Sequence, residues 1–410
     1  MDDQIASRGP RLGPAHDAAD TLETRAGGWR ERWWRWRDAR LADAGFRRWA
    51  SAFRLTRPIA RRRAQALFDL MAGFVYSQVL LACVQLRVFE QVHEGPLPAS
   101  ELARRANLDP AAMRRLLDAA VSIDLLERRG ADRYGLGKLG APLIDDEAIG
   151  AMIRHHAVLY ADLRDPVALL RAGSGDRFGG DDAHRGAGAG MSRYWPYADG
   201  QAPGQLTDEQ VAEYSALMSA SHPLVADEVL AVYPLHRHRC LLDVGGGEGR
   251  FLVRAAAAAP RLQLMLYDLP PVAERGRLRL AAAGLAARAS TFGGDFLRDP
   301  LPTGADLISL VRVLFDHPDE RAVALLRSVR RALPAGGTVL VAEPMAGVPG
   351  AQRMGDAYYS FYLLAMGRGQ SRSAARHAQL LIEAGFRDPR DVPTRMPLQA
   401  SVVVATAPPN

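Results

Sequence analysis

The sequence predicts an α/β fold, with a C-terminal doubly wound, Rossmann-like sheet that binds a nucleotide and an N-terminal, mainly α winged-helix domain. Two observations carry this. From Cys240 onward short apolar runs alternate with helical patterns, a glycine turn follows the first run, and acidic residues close several runs at the same end. Between residues 64 and 150 the periodicity is helical and ends in two strand-like runs around a turn.

A chain of 410 residues has room for two or three domains of ~100–200 residues each. Its 48% hydrophobic and 24% charged residues are the make-up of an ordinary globular protein. Four stretches are expected: a basic, Trp-rich arm over 1–63, a winged-helix-like dimerisation domain over 64–150, a linker loop with helices over 151–235, and the nucleotide-binding domain over 236–410. The net charge of +6 is local. Residues 1–63 hold 15 Arg against 8 Asp and Glu, whereas the remainder holds 37 basic against 38 acidic residues. Lys138 is the single lysine, so an arginine by itself says little about phosphate recognition. Cys83 and Cys240 lie far apart in apolar stretches; they read as buried thiols and offer no metal-ligand spacing, so no metal is expected. No unbroken apolar run approaches the ~18 residues of a membrane span. The N-terminus lacks the apolar core of a secretory signal, so a cytoplasmic location is expected.

Five of the six tryptophans, Trp29, Trp33, Trp34, Trp36 and Trp49, lie in the arm. Arginines and indoles interleaved over residues 25–63 suit a peripheral membrane surface, with rings at the headgroup boundary and arginines on anionic lipid. A helical arm packed on its own domain or on a partner subunit is the plainer alternative, and Arg-rich nucleic-acid binding a third. Residues 1–25 are expected to be disordered.

Residues 60–92 predict a long apolar helix or helix pair, suited to a core or a dimer interface. Ser100 is expected to cap a short helix from Glu101, and Asp109-Pro110 to start a second one. Leu125–Glu127 and Tyr134–Leu136 then form a hairpin turning at Arg129–Asp132. The second helix carries Arg114 and Arg115 but also Asp118, without the concentrated positive face that nucleic acid requires, so no nucleic-acid partner is expected. Residues 171–204 read as a Gly-rich loop in which His184 is a solvated side chain; helices follow at about 207–220 and 223–233, the latter closed by Pro234.

From Cys240 the strand CLLDV ends beside Asp243, and Gly245, Gly247 and Gly249 follow before an Ala-rich helix. Such glycines adopt unusual backbone angles and let a ligand approach the main chain. A second strand ends at Asp268, placed to hydrogen-bond the ribose hydroxyls of an adenosine. Asp295-Phe296 follow a third strand, where an adenine can be held, and a fifth strand ends at Glu343. This order points to S-adenosylmethionine (SAM) over a dinucleotide.

The motifs LLDVGGGEG, YDLP, GGDF, VRVLFDHPDE and LPAGGTVLVAEPM resemble the O-methyltransferase family whose members join a winged-helix dimerisation domain to a SAM-binding domain. RRWASAFRLTRPIARRRAQALFDLMAGFVYSQVLLACVQL and GDAYYSFYLLAMGRGQSRSA are most similar to its bacterial carotenoid 1-hydroxyl methyltransferases. The resemblance covers residues 64 to 409 and implies a homodimer that methylates the tertiary hydroxyl of an acyclic carotenoid in the spheroidene-type pathway of a photosynthetic bacterium. It implies that Gly245 and Gly247 run under the methionine part of SAM, with Asp243 and Arg312 nearby, that Asp268 binds the ribose, and that Asp295 and Phe296 bracket the adenine.

The departures from the family pattern concern the proton. Phe315 stands where plant-type relatives carry a histidine base, Val311 stands at a lysine position beside Arg312, and Ser371 replaces the second glutamate. Methyl transfer is an in-line displacement, for which alignment supplies ~7–11 kcal/mol. A weakly acidic alcohol then sheds its proton late, to a nearby acceptor. Asp316, His317 and Glu343 are the candidates, with His317 equally readable as a structural residue before Pro318. Phe315, Tyr358, Tyr359, Phe361, Tyr362 and Met366 read as the walls of an apolar tunnel or as ordinary helix core. Two other functions stay open: methylation of a phenolic polyketide or tetrapyrrole, and a SAM-binding regulator without catalysis.

Overall fold

The computed structural model describes residues 28–144, 146–173, 191, 225–367 and 369–409. These fall into two compact units that divide between Val79 and Leu80.

The first unit contains helices α1 (Gly28–Ala42) and α2 (Ala44–Ala52) and most of α3 (Arg57–Gln85). Arginines finish these helices. Arg47 donates to the carbonyls of Leu41 and Ala42, and Arg57 to those of Ser51 and Ala52, satisfying oxygens the helices leave open. Asp43 caps α2 by accepting the Phe46 N–H at 2.6 Å. Helix α1 buries no residue, and all five tryptophans of the arm are exposed. Arg30, Arg37 and Arg40 lie over the rings of Trp29, Trp33 and Trp36. Along α3, Leu67, Phe68, Leu70, Met71, Phe74 and Val75 are exposed, and burial begins only at Leu81. The expected core helix is therefore core only at its end. One expectation needs correcting here. Asp69, Ser77 and Gln78 interrupt the apolar run, yet α3 is long and apolar enough, by length and composition, to cross a membrane.

The second unit opens with α4 (Val88–His93), β1 (Leu97–Pro98), α5 (Ala99–Ala106), α6 (Pro110–Ser122), β2 (Leu126–Arg128) and β3 (Arg133–Leu136). Asp109 caps α6 as expected, accepting the N–H groups of Ala111 and Ala112 at 2.9 and 3.1 Å. Helix α5 starts two residues before the expected point, because extended Pro98 already turns the chain in; Ser100 falls inside its first turn and no side chain caps it. The wing is three-stranded in the order β1-β3-β2. Arg114 pairs with Asp132 in the wing, and Asp118 with Arg128 and the Tyr134 hydroxyl, so helix α6 and the wing neutralise one another's charges. Helices α7 (Glu147–Asp162) and α8 (Pro166–Gly173) follow. Residues 171–173 of the expected Gly-rich loop close α8; the rest of it apart from residue 191, with His184 and the helix expected at 207–220, lies outside the described residues, as do residues 1–25, and residues 225–232 are helical.

The remaining strands are β4 (Cys240–Val244), β5 (Gln263–Asp268), β6 (Ala289–Gly293), β7 (Leu307–Val311), β8 (Thr338–Glu343), β9 (Arg387–Val392) and β10 (Ser401–Thr406). They form one sheet in the order β6-β5-β4-β7-β8-β10-β9, in which β4 to β8 are parallel and β10 runs antiparallel to both neighbours. Alternate residues feed different cores. Leu242, Val244, Ile308, Leu310, Val339 and Val341 join one cluster, and Leu241, Leu264, Leu266, Leu307, Leu340 and Ala342 another. Helices α9 (Arg250–Ala258), α10 (Pro270–Ala282), α11 (Asp319–Ala332) and α13 (Ala374–Glu383) link or flank these strands, and α12 (Tyr359–Met366) lies between β8 and α13 in the chain. Strand order reverses between β4 and β7, which opens a crevice at their carboxyl ends. Strand β9 is not legible as a strand, since RDPRDV is charged and holds a proline; it is tolerated because β9 is an edge.

Candidate active site

At the crevice β4 delivers Asp243, fully buried, whose Oδ1 accepts the Ser309 hydroxyl at 2.6 Å while Oδ2 has no hydrogen-bond partner. The turn that follows is glycine by necessity. Gly245, Gly247 and Gly249 have φ of +67, +58 and +75°, and a Cβ on Gly246 would lie 2.5 Å from Asp243 Oδ2. Above Gly247 the space is open: among the described residues, no atom beyond its own chain neighbours lies within 4 Å of where a Cβ would stand. Asp268 joins this turn from β5: its Oδ2 accepts the Gly247 N–H and its Oδ1 the Leu269 N–H, both at 2.7 Å. Burial pushes the Asp243 carboxyl up to about 7 and the Asp268 carboxyl up to about 6. An open glycine turn, an orphaned carboxylate oxygen and a second carboxylate with spare lone pairs fit a ligand rich in hydroxyl and ammonium donors. Beyond β6, Asp295 accepts the Leu297 N–H at 2.9 Å, and Phe296 meets the His317 ring edge-on at 5.6 Å.

A second group forms after β7. Arg312 adopts φ +58°, a left-handed conformation rare for a side-chain-bearing residue, and lies over the Phe315 ring at 5.9 Å. The one-turn helix Leu314–Asp316 is then held from several sides. Phe315 N–H donates to Glu343 Oε2 at 3.1 Å, Gln370 N–H donates to the Phe315 carbonyl at 2.8 Å, and Arg372 donates to the carbonyls of Leu314 and His317 at 2.8 and 2.6 Å. Glu343 Oε1 lies 3.0 Å from His377 Nε2, both side chains fully buried. Asp316 is buried, and its carboxyl is raised well above the usual range by burial, with Arg312 opposing and Glu343 reinforcing the shift. Ser371 turns away to donate to the Gly355 carbonyl at 2.8 Å.

Facing Phe315 is an aromatic wall. A π-helical turn, Arg353–Tyr358, leads into α12, and the wider turn sets Tyr358, Tyr359 and Tyr362 against one another with ring centroids 5.0 to 6.2 Å apart. Tyr359 meets Phe315 edge-on at 6.2 Å. Phe315, Tyr362 and Met366 share one apolar cluster with Leu159 and Leu169 from α7 and α8, and Phe361 is half-buried on the same helix. Two residues singled out by no sequence pattern complete it. His156 Nε2 lies 2.6 Å from the Tyr358 hydroxyl and His155 Nε2 lies 3.1 Å from that of Tyr362. The adjacent histidines are visible in the sequence, but their partners lie about two hundred residues later and only the fold joins them.

The expected residues thus separate into two groups. Asp243, Gly245, Gly247 and Asp268 surround the glycine turn, whereas Arg312, expected with them, lies with Phe315 and within electrostatic reach of Tyr358. Of the expected proton acceptors, Glu343 accepts the Phe315 N–H, Asp316 is buried in the same turn and feels the charge of Glu343, and the His317 ring lies against Phe296.

Residues 185–387 match the family model of the O-methyltransferase domain, and residues 68–146 that of the O-methyltransferase dimerisation domain. Demethylspheroidene O-methyltransferase of Cereibacter sphaeroides is 46% identical over 86% of this chain and 89% of its own. The enzyme of that name from Rhodobacter capsulatus is 40% identical over 85% and 83%. The chain belongs to the O-methyltransferase family. Among solved structures, the S-adenosylhomocysteine-bound CalO1 methyltransferase of calicheamicin biosynthesis superposes with a TM-score of 0.67 at 29% identity, covering 85% of this chain and 98% of its own. This methyltransferase is therefore a SAM-dependent enzyme, and its glycine turn has the donors and acceptors such a ligand needs.

Proposed function

We propose that this O-methyltransferase methylates the tertiary 1-hydroxyl of an acyclic carotenoid. The observation that carries the reading is Phe315 in an apolar, tyrosine-walled cluster, which suits a hydrocarbon chain bearing one hydroxyl. The likeness to two demethylspheroidene O-methyltransferases supports it.

Gly245 and Gly247 let the main chain approach the methionine part of SAM, Asp243 supplies an acceptor beneath them, Asp268 holds the ribose hydroxyls, and Asp295 with Phe296 flanks the adenine. SAM bound there supplies a methyl group on a cationic sulfur. Glu343 and His317 have positioning roles: the first holds the turn that presents Phe315 and the second backs Phe296, while Asp316 is buried within that turn beside the charges of Arg312 and Glu343. The Phe315 turn and the tyrosines align the hydroxyl and exclude water, which is the part of the catalysis that needs no strong base. The test is turnover of methyl-labelled SAM against a 1-hydroxycarotenoid in detergent micelles, a phenol and a chlorophyll precursor. Label in the carotenoid alone is expected; label only in another acceptor overturns the reading.

An apolar acceptor dissolves in membranes, and the exposed tryptophans and arginines of α1 and α2 are suited to a membrane surface. The exposed stretch of α3 lies within the match to the dimerisation domain and is proposed as a homodimer face. Deleting residues 1–50 is expected to lower co-sedimentation with anionic liposomes while leaving SAM affinity unchanged. Equal co-sedimentation of both proteins refutes the membrane role.

A further inference from the structure

We propose that the hydrogen-bonded pair Tyr358–His156 takes the proton from the acceptor hydroxyl, in place of the base that Phe315 displaces; this rests on the proposed acceptor above. The pair is placed for that task. Tyr358 is half-buried, packs edge-on against Tyr359 at 5.0 Å, and through Tyr359 reaches Phe315. His156 stands behind it on α7 at 2.6 Å, and Met152 Sδ is 4.0 Å from the same hydroxyl. Among the described residues, the titratable groups whose charge reaches the pair are His155 on α7, Tyr359 and Tyr362 on α12, and Arg312 after β7. Burial lowers His156 from the usual histidine value, which keeps its imidazole unprotonated and able to accept. Burial raises the Tyr358 hydroxyl above its usual value, Tyr359 and Tyr362 add to the rise and Arg312 opposes it, so the phenol gives up its own proton only as it takes the acceptor's. The neighbouring pair, His155 with Tyr362, is more deeply buried, and burial takes His155 down to about 4, which suits it to packing rather than to proton traffic.

In the step, the acceptor oxygen bonds to the methyl carbon while the carbon–sulfur bond breaks and leaves its electron pair on sulfur. The hydroxyl proton passes to Tyr358 Oη, and the proton of Tyr358 passes to His156 Nε2. The products are the methyl ether, the neutral thioether and a protonated His156, which returns its proton to solvent between turnovers.

The experiment compares the wild type with His156→Gln and Tyr358→Phe on whichever acceptor the wild type methylates. Gln retains a hydrogen-bonding group beside Tyr358 but cannot take the proton. Expected in both variants is a fall in kcat of ~10²–10⁴-fold with unchanged affinity for SAM, and in His156→Gln also unchanged binding of acceptor to the S-adenosylhomocysteine-loaded protein by fluorescence quenching. On an analogue whose carbinol carries a trifluoromethyl group, a more acidic alcohol, most of that loss should be recovered. Wild-type kcat in His156→Gln overturns the proposal, and so does an equal loss on both alcohols. If His156→Gln melts early, the same two comparisons on Tyr358→Phe decide. Failure of the acceptor reading is seen separately, in the wild type's own choice of substrate.

Discussion

Arg372 gives the sharpest test of how the active-site turn is held. Its side chain is wholly buried, and its guanidinium donates to Asp319 Oδ1 at 2.7 Å, to the Leu314 and His317 carbonyls at 2.8 and 2.6 Å, and to the Gln370 carbonyl at 3.4 Å. One planar cation therefore closes both ends of the turn that carries Phe315 and ties it to the start of α11. Arg372→Met removes every donor. Breaking a buried ion pair costs ~3–5 kcal/mol. Here Asp319 retains Arg376 at 2.7 Å and is partly exposed, so the lower end, about 3 kcal/mol, is expected. At roughly 2–4 °C per kcal/mol, the melting temperature should fall by about 6–12 °C. Arg372→Lys, with a point charge that cannot span the same acceptors, should lie between. Partial burial raises the Asp319 carboxyl, but hydrogen bonds from Arg376 and Arg372 outweigh it and hold the group below its usual value. A depressed carboxylate contributes stability above its unfolded value and loses it as pH falls, so the gap between wild type and variant should narrow below about pH 4. The assay is thermal unfolding followed by circular dichroism, alongside kcat. A melting temperature within about 2 °C of wild type, with full turnover, refutes the idea that Arg372 holds the turn.

Without ligand, Asp243 at about 7 and Asp268 at about 6 are raised by burial, so SAM affinity, which needs ionised acceptors, should rise with pH through that window and level off above it, as titration calorimetry would record. The same shifts should make the ligand-free protein lose stability as pH rises from about 4 to about 7, since the folded state holds the protons longer; a melting temperature that climbs steadily over that range contradicts it. Gly246→Ala should cost ~1–3 kcal/mol by overpacking and weaken SAM binding at least tenfold, because the new carbon would stand 2.5 Å from Asp243 Oδ2 and 2.6 Å from Leu266 Cδ1. Phe315→His should raise turnover of a phenolic acceptor relative to the carotenoid, by adding a base and a polar group to an apolar cluster; an unchanged acceptor ratio in competition assays refutes this.

The nucleotide-binding half of the fold was legible because its signals are local. The apolar runs ending at Val244, Asp268, Val311 and Glu343 are largely buried strands, the run ending at Gly293 is an exposed edge strand, and one turn with three glycines at positive φ leaves few alternative backbones. The caps were half legible: Asp109 works as read, whereas Ser100 yields to the extended backbone of Pro98. Strand β9 was hidden because an edge strand need not be apolar, and the span-like character of α3 because counting unbroken apolar residues misses an average taken along the helix.

Chain order alone determined that a glycine turn and two acids would meet, since β4 and β5 are consecutive neighbours in a parallel sheet and their carboxyl ends lie side by side. Tertiary structure decided the rest of the site. Whether Asp316, Glu343 and His317 face an acceptor or support a turn depends on partners such as Arg372, His377 and Phe296, which no spacing rule connects to them. That His156 meets Tyr358 depends on α7 packing beside α12 across some two hundred residues of chain. Local periodicity reports which face of an element is apolar; which distant face it meets is settled only when the whole core closes.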